Sequence, residues 1–75
     1  MKIKPVHFET LAKVFEMAGC TYIGTRGDHL IYRHPKAIRP VVIPKYPEVP
    51  VSIIKNNMRI IGMSRETYFE LLSKV

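Results

Sequence analysis

The residues best suited to chemistry lie together in one short stretch, Thr25–Pro35. Its eleven residues hold two of the chain's three histidines, two arginines and a glycine–aspartate pair. Histidine has an unperturbed pKa near neutrality, so it can take up or release a proton under physiological conditions. Guanidinium groups bind phosphate oxygens through paired hydrogen bonds. Two interpretations are therefore open: proton transfer on a phosphodiester, or a basic hairpin on the surface of a small domain.

Length and charge place this stretch in one small, basic domain. The chain has 75 residues, and its 12 Lys and Arg against 6 Asp and Glu give a formal net charge of +6. This excess favours polyanionic partners, with nucleic acid ahead of a membrane surface. No apolar run approaches the roughly 18 residues of a spanning helix, and Met1–Pro5 lacks the apolar core of a signal peptide. We expect a single domain over residues 1–75, in the cytoplasm and without a membrane partner.

The single cysteine, Cys20, offers little chemistry. One cysteine excludes an intrachain disulfide and a zinc cluster of the usual kind. Its neighbours, Gly19 and Thr21, provide no catalytic partner, so we expect a half-buried structural thiol. The sequence also presents no convincing metal site and no sign of a small-molecule cofactor.

Hydrophobic spacing predicts the elements that position Thr25–Pro35. Apolar residues three and four apart predict helices, with Gly19 and Gly62 as stops and Ser64 as an N-cap. Runs rich in β-branched residues and tyrosine predict strands, and Arg26-Gly27-Asp28 is typical of a tight turn between two of them. The predicted elements are, in order, a helix over residues 7–18, strands over 21–26, 29–34 and 41–43, and helices over about 51–61 and 65–74.

This order predicts an α+β fold. Three strands joined by short turns favour a three-stranded antiparallel meander, and so small a sheet needs helices on one face to form a core. The α-β-β-β-α order, with a possible extra C-terminal helix, is the general plan of double-stranded-RNA-binding domains. Alternation along the second strand does not decide which face is buried. His29, Ile31 and Arg33 share one face with mixed polarity, and the other face is equally mixed.

Several motifs, in order, resemble the HicA toxin family, also called YcfA-like. The matching segments are Ala18-Gly19, Thr25–Pro35, Val42-Ile43-Pro44, Glu48-Val49-Pro50, and Ile54–Gly62 followed by Met63-Ser64. The Gly-x-His hairpin alone would be a weak signal, but matches over nearly the whole length are specific. The resemblance implies a double-stranded-RNA-binding-like fold and a small cytoplasmic toxin of a type II toxin–antitoxin pair. It also implies that the toxin cleaves mRNA and is neutralised by a HicB-type antitoxin.

The resemblance places the family's catalytic histidine at His29, with Gly27 opening the turn two residues earlier. Four departures from the family pattern are visible: Asp28 stands where serine is common, Leu30 where a second histidine is frequent, Tyr46 where many members have histidine, and Val51-Ser52 where a Lys-Gly pair is usual. The central histidine is retained.

A single histidine suits RNA because RNA carries its own nucleophile, the 2′-hydroxyl beside each phosphodiester. Neutral His29 would remove that proton, Arg26 and Arg33 would hold the phosphate, and no metal is needed. We expect His34 to lie at the surface or contact RNA rather than act as a second catalyst. The predicted RNA-binding residues are Arg26, Gly27, Arg33, His34 and Lys36.

Other interpretations stay open at this point. The same scaffold would serve as a catalytically weak or inactive RNA-binding module, or as a protein-interaction domain that docks an acidic antitoxin. Tyr22 and Tyr32 suit base stacking, although strand tyrosines more often pack in a core. Five basic residues, including Lys36, either extend a phosphate-binding track or keep the domain soluble: Lys36, Arg39, Lys45, Lys55 and Arg59.

Overall fold

A computed structural model describes all 75 residues as three helices and a three-stranded sheet. The elements are α1 (Phe8–Met17), β1 (Thr21–Arg26), β2 (His29–Arg33), β3 (Val41–Pro44), α2 (Val51–Ile61) and α3 (Arg65–Leu72). The predicted α+β fold, its α-β-β-β-α order and the additional C-terminal helix are confirmed. The predicted ends of the elements differ from the observed ones by no more than two residues. None of the three helices combines the length and hydropathy of a membrane-spanning segment.

The sheet is an antiparallel meander with β2 in the centre. Two pairs in its register matter for the site: Arg26 of β1 lies opposite His29, and His29 lies opposite Pro44 of β3. A bulge between Tyr22 and Gly24 shifts the register of β1. Both neighbours of His29 therefore stand at the same end of the sheet.

One face of the sheet is buried under the helices. Tyr32 and Val41, which pair across β2 and β3, are 3% and 0% exposed, and Ile43 is also fully buried. The alternate residues His29 and Ile31 are only half-buried. The structure thus decides what alternation left open: the Tyr32 side of β2 faces the core, and the His29 side faces outward.

Apolar helix residues complete the core. They come from all three helices and include Leu11, Val14, Phe15, Ile54, Met58 and Tyr68. Tyr32 ties the sheet to α1, since its hydroxyl donates a 2.8 Å hydrogen bond to the Glu16 carboxylate. Burial and the neighbouring Glu16 carboxylate both raise the pKa of Tyr32. Base stacking by this tyrosine is excluded by its position, because its ring lies inside the protein.

Helix α2 lies alongside the edge strand β3. Asn57 is 2% exposed, and its side-chain amide donates a 2.9 Å hydrogen bond to the Val42 carbonyl oxygen. Such a bond satisfies a strand carbonyl and fixes the helix against the sheet edge. Gly62, with φ of +70°, ends the helix in the left-handed conformation that glycine adopts without strain. The arrangement leaves a groove between β3 and α2 on the open side of the sheet.

Cys20 is more deeply buried than the half-buried thiol expected from the sequence. It follows the end of α1 and is 6% exposed. Burial raises the pKa of its thiol, which keeps the group in its neutral form. A neutral, buried thiol serves as a small apolar side chain in the core.

Candidate active site

A two-residue turn presents the candidate catalytic histidine. Gly27 and Asp28 connect β1 to β2, and Gly27 has φ of +57° while no other type of residue has a positive φ. Positive φ at the first central residue only is the pattern of a type II′ turn, whose twist matches that of the flanking strands. The turn ends in the pair Arg26 and His29. Directly opposed side chains in an antiparallel pair share one face, so this arginine and this histidine are neighbours.

The carboxylate of Asp28 lies next to the ring of His29. The distance from Oδ1 of Asp28 to Nδ1 of His29 is 3.0 Å, and the histidine side chain is 44% exposed. The contact lies on the Nδ1 side of the ring, so Nε2 is the nitrogen left open to another molecule. Asp28 therefore places a negative charge beside His29, where it would stabilise a protonated ring.

The loop after β3 supports this turn from the other side. The backbone N–H of Lys45 donates a 2.7 Å hydrogen bond to the carbonyl oxygen of Asp28. Tyr46 continues the connection, because its carbonyl oxygen accepts a 3.2 Å hydrogen bond from the N–H of Phe8 at the start of α1. Sequence reasoning named Lys45 only among five basic residues that either bind phosphates or keep the domain soluble. The backbone contact brings Lys45 next to the turn that carries His29.

A groove of about 450 Å³ begins at His29 and runs between β3 and α2. Its lining includes His29, Arg39, Val42, Ser52, Asn56 and Ile60. Sequence reasoning named Arg39 without a specific place and Ser52 only as a departure from the family pattern, and it missed Asn56. The signal for the last two lies in their spacing of four along α2, which puts both on one face of the helix. That face of α2 is exposed, and it lines the groove only because α2 packs against β3.

The predicted RNA-binding residues fall into two groups. Arg26 and Gly27 lie at the turn with His29. Arg33 shares the outward face of β2 with His29 but lies four residues, or roughly 13 Å, along the strand. His34 and Lys36 lie beyond Arg33, at the opposite end of the hairpin from the Gly27-Asp28 turn. The structure does not bring these three residues to His29, so their part in RNA binding stays a prediction.

His34 has a place in the packing of the domain. Its Nε2 atom lies 3.2 Å from the carbonyl oxygen of Ala18, and its Nδ1 atom accepts a 3.1 Å hydrogen bond from the backbone N–H of Lys36. A Cβ atom at Gly19 would lie 3.4 Å from the same Nε2 atom, so glycine leaves room for the ring. Both ring nitrogens are occupied within the chain, which gives the geometry no support for RNA contact by His34.

Replacing His34 with alanine is expected to lower the free energy of unfolding by about 1 kcal/mol, because it removes the hydrogen bonds of the ring to the Ala18 carbonyl and the Lys36 N–H. Urea denaturation followed by circular dichroism measures this loss. RNA cleavage per folded molecule should stay unchanged. A variant with normal stability but weaker RNA binding would instead assign His34 to the RNA interface.

The other departures from the family pattern lie apart from the histidine ring. Leu30 packs against the core from the opposite face of β2. A histidine there would point away from His29. Tyr46 is 39% exposed and lies in the loop that supports the turn. Ser52 lines the groove. No group of three or more His, Cys, Asp and Glu side chains is placed to hold a metal ion.

The fold is a small α+β domain with a histidine at the turn of its hairpin. The family model described as the HicA toxin of bacterial toxin–antitoxin systems matches residues 8–63 of this chain. The chain therefore belongs to the HicA toxin family. The match runs from the first residue of α1 to just beyond α2, and α3 lies outside it. A comparison with curated proteins found no match. Family membership supports a toxin role within a toxin–antitoxin pair.

Proposed function

We propose that this protein is an endoribonuclease toxin that cleaves mRNA in the cytoplasm, with His29 as its catalytic residue. The observation that carries the proposal is the 3.0 Å contact between Asp28 and His29 at the end of the groove. This contact supports the proposal, because it sets a carboxylate beside a half-exposed imidazole that lines the groove a strand would enter. Family membership makes such an activity the expected one.

The reaction follows from the position of the free nitrogen. Nε2 of His29 removes the proton of an RNA 2′-hydroxyl as the 2′-oxygen attacks the adjacent phosphorus. The bond between phosphorus and the 5′-oxygen of the next nucleotide breaks, and that oxygen takes a proton from imidazolium or water. The products are a 2′,3′-cyclic phosphate and a 5′-hydroxyl. The Nδ1–Asp28 contact stabilises the imidazolium that forms during the attack.

Arg26 is the residue best placed to stabilise the charge on the phosphate. It lies opposite His29 on the same face, at the exposed edge of the sheet. A guanidinium group beside the reacting phosphorus stabilises the phosphorane oxygens through charge-assisted hydrogen bonds. Lys45 adds a second positive charge in the loop next to the turn. Dissociation of the antitoxin from the toxin would expose His29, Arg26 and Lys45 to RNA.

A HicB-type antitoxin is the partner that fits this surface. The chain carries a formal charge of +6, and both basic residues beside His29 are exposed. An acidic antitoxin surface laid over the turn would neutralise these charges and cover the histidine. Association would then be fast and sensitive to salt.

Cleavage of RNA by the purified protein in the presence of a chelator tests the proposed activity. We expect cleavage to persist in EDTA, because the 2′-hydroxyl and His29 complete the reaction between them. The fragments should carry 2′,3′-cyclic phosphates and 5′-hydroxyls, which end-labelling and mass spectrometry identify. An oligonucleotide with a 2′-deoxy sugar at the cleaved position serves as the matched control and should resist cleavage.

Two results would contradict the proposal. Fragments with 5′-phosphates would show that water, and not the 2′-hydroxyl, is the nucleophile. Salt-dependent RNA binding without any cleavage would support the alternative of an RNA-binding module on the same scaffold.

A further inference from the structure

We propose that the groove between β3 and α2 is a cleft for single-stranded RNA, in which Arg39 holds a phosphate and Asn56 contacts a base. The inference rests on the proposed function, since it supplies the binding site for the strand that His29 would cut. It also specifies the substrate class, which neither the fold nor the family match provides.

The size of the groove suits a short unpaired segment. The four residues of β3, Val41–Pro44, extend over roughly 10 Å. On the facing helix, the distance along the axis from Ser52 to Ile60 is roughly 12 Å. The volume of about 450 Å³ lies within the range of sites that enclose one small ligand. A duplex is recognised by surfaces that span many base pairs, and its stacked bases cannot enter such a groove.

The charges at the groove favour an anion. None of its lining residues is aspartate or glutamate, while Arg39 stands at one end and His29 at the other. Arg39 is exposed and lies just before Pro40 in the connection that leads into β3. A strand with one phosphate at His29 would extend along β3 and bring a later phosphate to the Arg39 guanidinium. Arginine binds phosphate through two parallel hydrogen bonds.

The wall formed by α2 offers both polar and apolar contacts to a base. Asn56 is exposed and faces the groove, and its amide presents donors and an acceptor of the kind that base edges pair with. Ile60, one turn further along α2, and Val42 from the strand provide apolar surface for the base face. Asn57 differs from its neighbour, because its amide is already bound to the Val42 carbonyl and fixes the width of the groove.

Arg39 lines the groove, and this position distinguishes it from the basic residues of α2. Lys55 and Arg59 also lie on α2, but they line a different cavity together with Ile3 and Met63. Arg59 is exposed, like Arg39, and carries the same side chain. It therefore provides a control that changes net charge equally without touching the groove.

Binding of a fluorescent oligoribonucleotide to the full-length protein tests the cleft. The probe carries 2′-O-methyl sugars, which remove the nucleophile, and fluorescence anisotropy reports its dissociation constant. Arg39→Ala should weaken binding by about tenfold or more and reduce the slope of log K against log salt by about 0.7. Asn56→Ala should weaken binding by about threefold to tenfold with an unchanged slope. Arg59→Ala should bind within about twofold of the parent.

The same probe annealed to its complement tests the preference for single strands. We expect the duplex to bind at least about tenfold more weakly than the single strand. Equal affinities for the single strand and the duplex, or equal losses of affinity in Arg39→Ala and Arg59→Ala, would contradict the proposed cleft. Circular dichroism confirms that each variant is folded.

These outcomes are distinct from a failure of the proposed function. If the protein cleaves RNA while Arg39→Ala and Asn56→Ala bind the probe as well as Arg59→Ala, the catalytic assignment stands and the proposed cleft is wrong. If the protein binds the single strand through Arg39 and Asn56 without cleaving RNA, the proposed cleft stands and the catalytic assignment is wrong.

Discussion

Replacing His29 with alanine is expected to lower the rate of RNA cleavage by about 10²–10⁴-fold, the usual contribution of a general base. The loss should be large because the other two histidines are occupied elsewhere: His7 caps α1 and His34 bonds to Ala18. Single-turnover rates at saturating enzyme measure the chemical step directly. In cells, expression of the parent protein without antitoxin should arrest growth, and the alanine variant should not.

The matched control is His7→Ala. The His7 side chain is 46% exposed, and its Nδ1 atom accepts a hydrogen bond from the backbone N–H of Glu9. Its loss should reduce stability by about 1 kcal/mol without changing the cleavage rate. The cleavage rate of Asp28→Asn should fall between those of the parent and His29→Ala, because the ring remains but loses the negative charge beside the imidazolium. Cleavage by His29→Ala at the parental rate in EDTA would refute the assignment.

Replacing Tyr32 with alanine is expected to reduce the free energy of unfolding by about 3–5 kcal/mol, as for other large buried aromatic residues. The ring is 3% exposed between the sheet and α1, and its hydroxyl is bonded to Glu16. A domain of 75 residues has a total stability of only about 4–11 kcal/mol. The alanine variant should therefore be partly unfolded at 37 °C. Urea or thermal denaturation measures the change.

Tyr32→Phe separates the ring from its hydroxyl. This variant keeps the packing and should lose only about 1 kcal/mol. It should also change the response to alkaline pH. Because the folded protein raises the pKa of Tyr32, the neutral hydroxyl contributes fully to stability below the pKa of an unfolded tyrosine, near 10. As pH rises above about 10, the unfolded chain releases this proton first, and stability falls.

The phenylalanine variant should therefore lose less stability between pH 10 and pH 12 than the parent. Some loss should persist, because burial also raises the pKa of Tyr68. Identical pH dependence in the two proteins would mean that the bond to Glu16 does not hold the hydroxyl in solution.

Local signals in the sequence are sufficient to predict the helices, the strands and the turn before His29. Gly27-Asp28 favours a tight turn whatever the rest of the chain does, because glycine alone takes positive φ without strain. The apolar spacing in α1 likewise depends on residues within a few turns. Such features are encoded within about ten residues, so they can be predicted from a single sequence.

The features that could not be predicted depend on residues far apart in the chain. His34 contacts Ala18, 16 residues away, and Asn57 contacts Val42, 15 residues away. Nothing in the immediate neighbourhood of His34 indicates that its ring is already bonded. Similarly, Arg39 and Asn56 have no sequence motif in common, and only the packing of α2 against β3 places them in one groove. The buried face of β2 was undecided for the same reason.

The hydrogen bond between Asn57 and Val42 joins two walls of the groove that the ribosome makes at different times. The hairpin that presents His29 closes over two residues, so it can form as soon as β2 has left the ribosome. The groove beside it needs α2, which ends at Ile61 of 75 residues. A nascent chain would thus carry an assembled histidine turn before it has the second wall of its groove. The full site exists only once α2 has been made and has packed against β3.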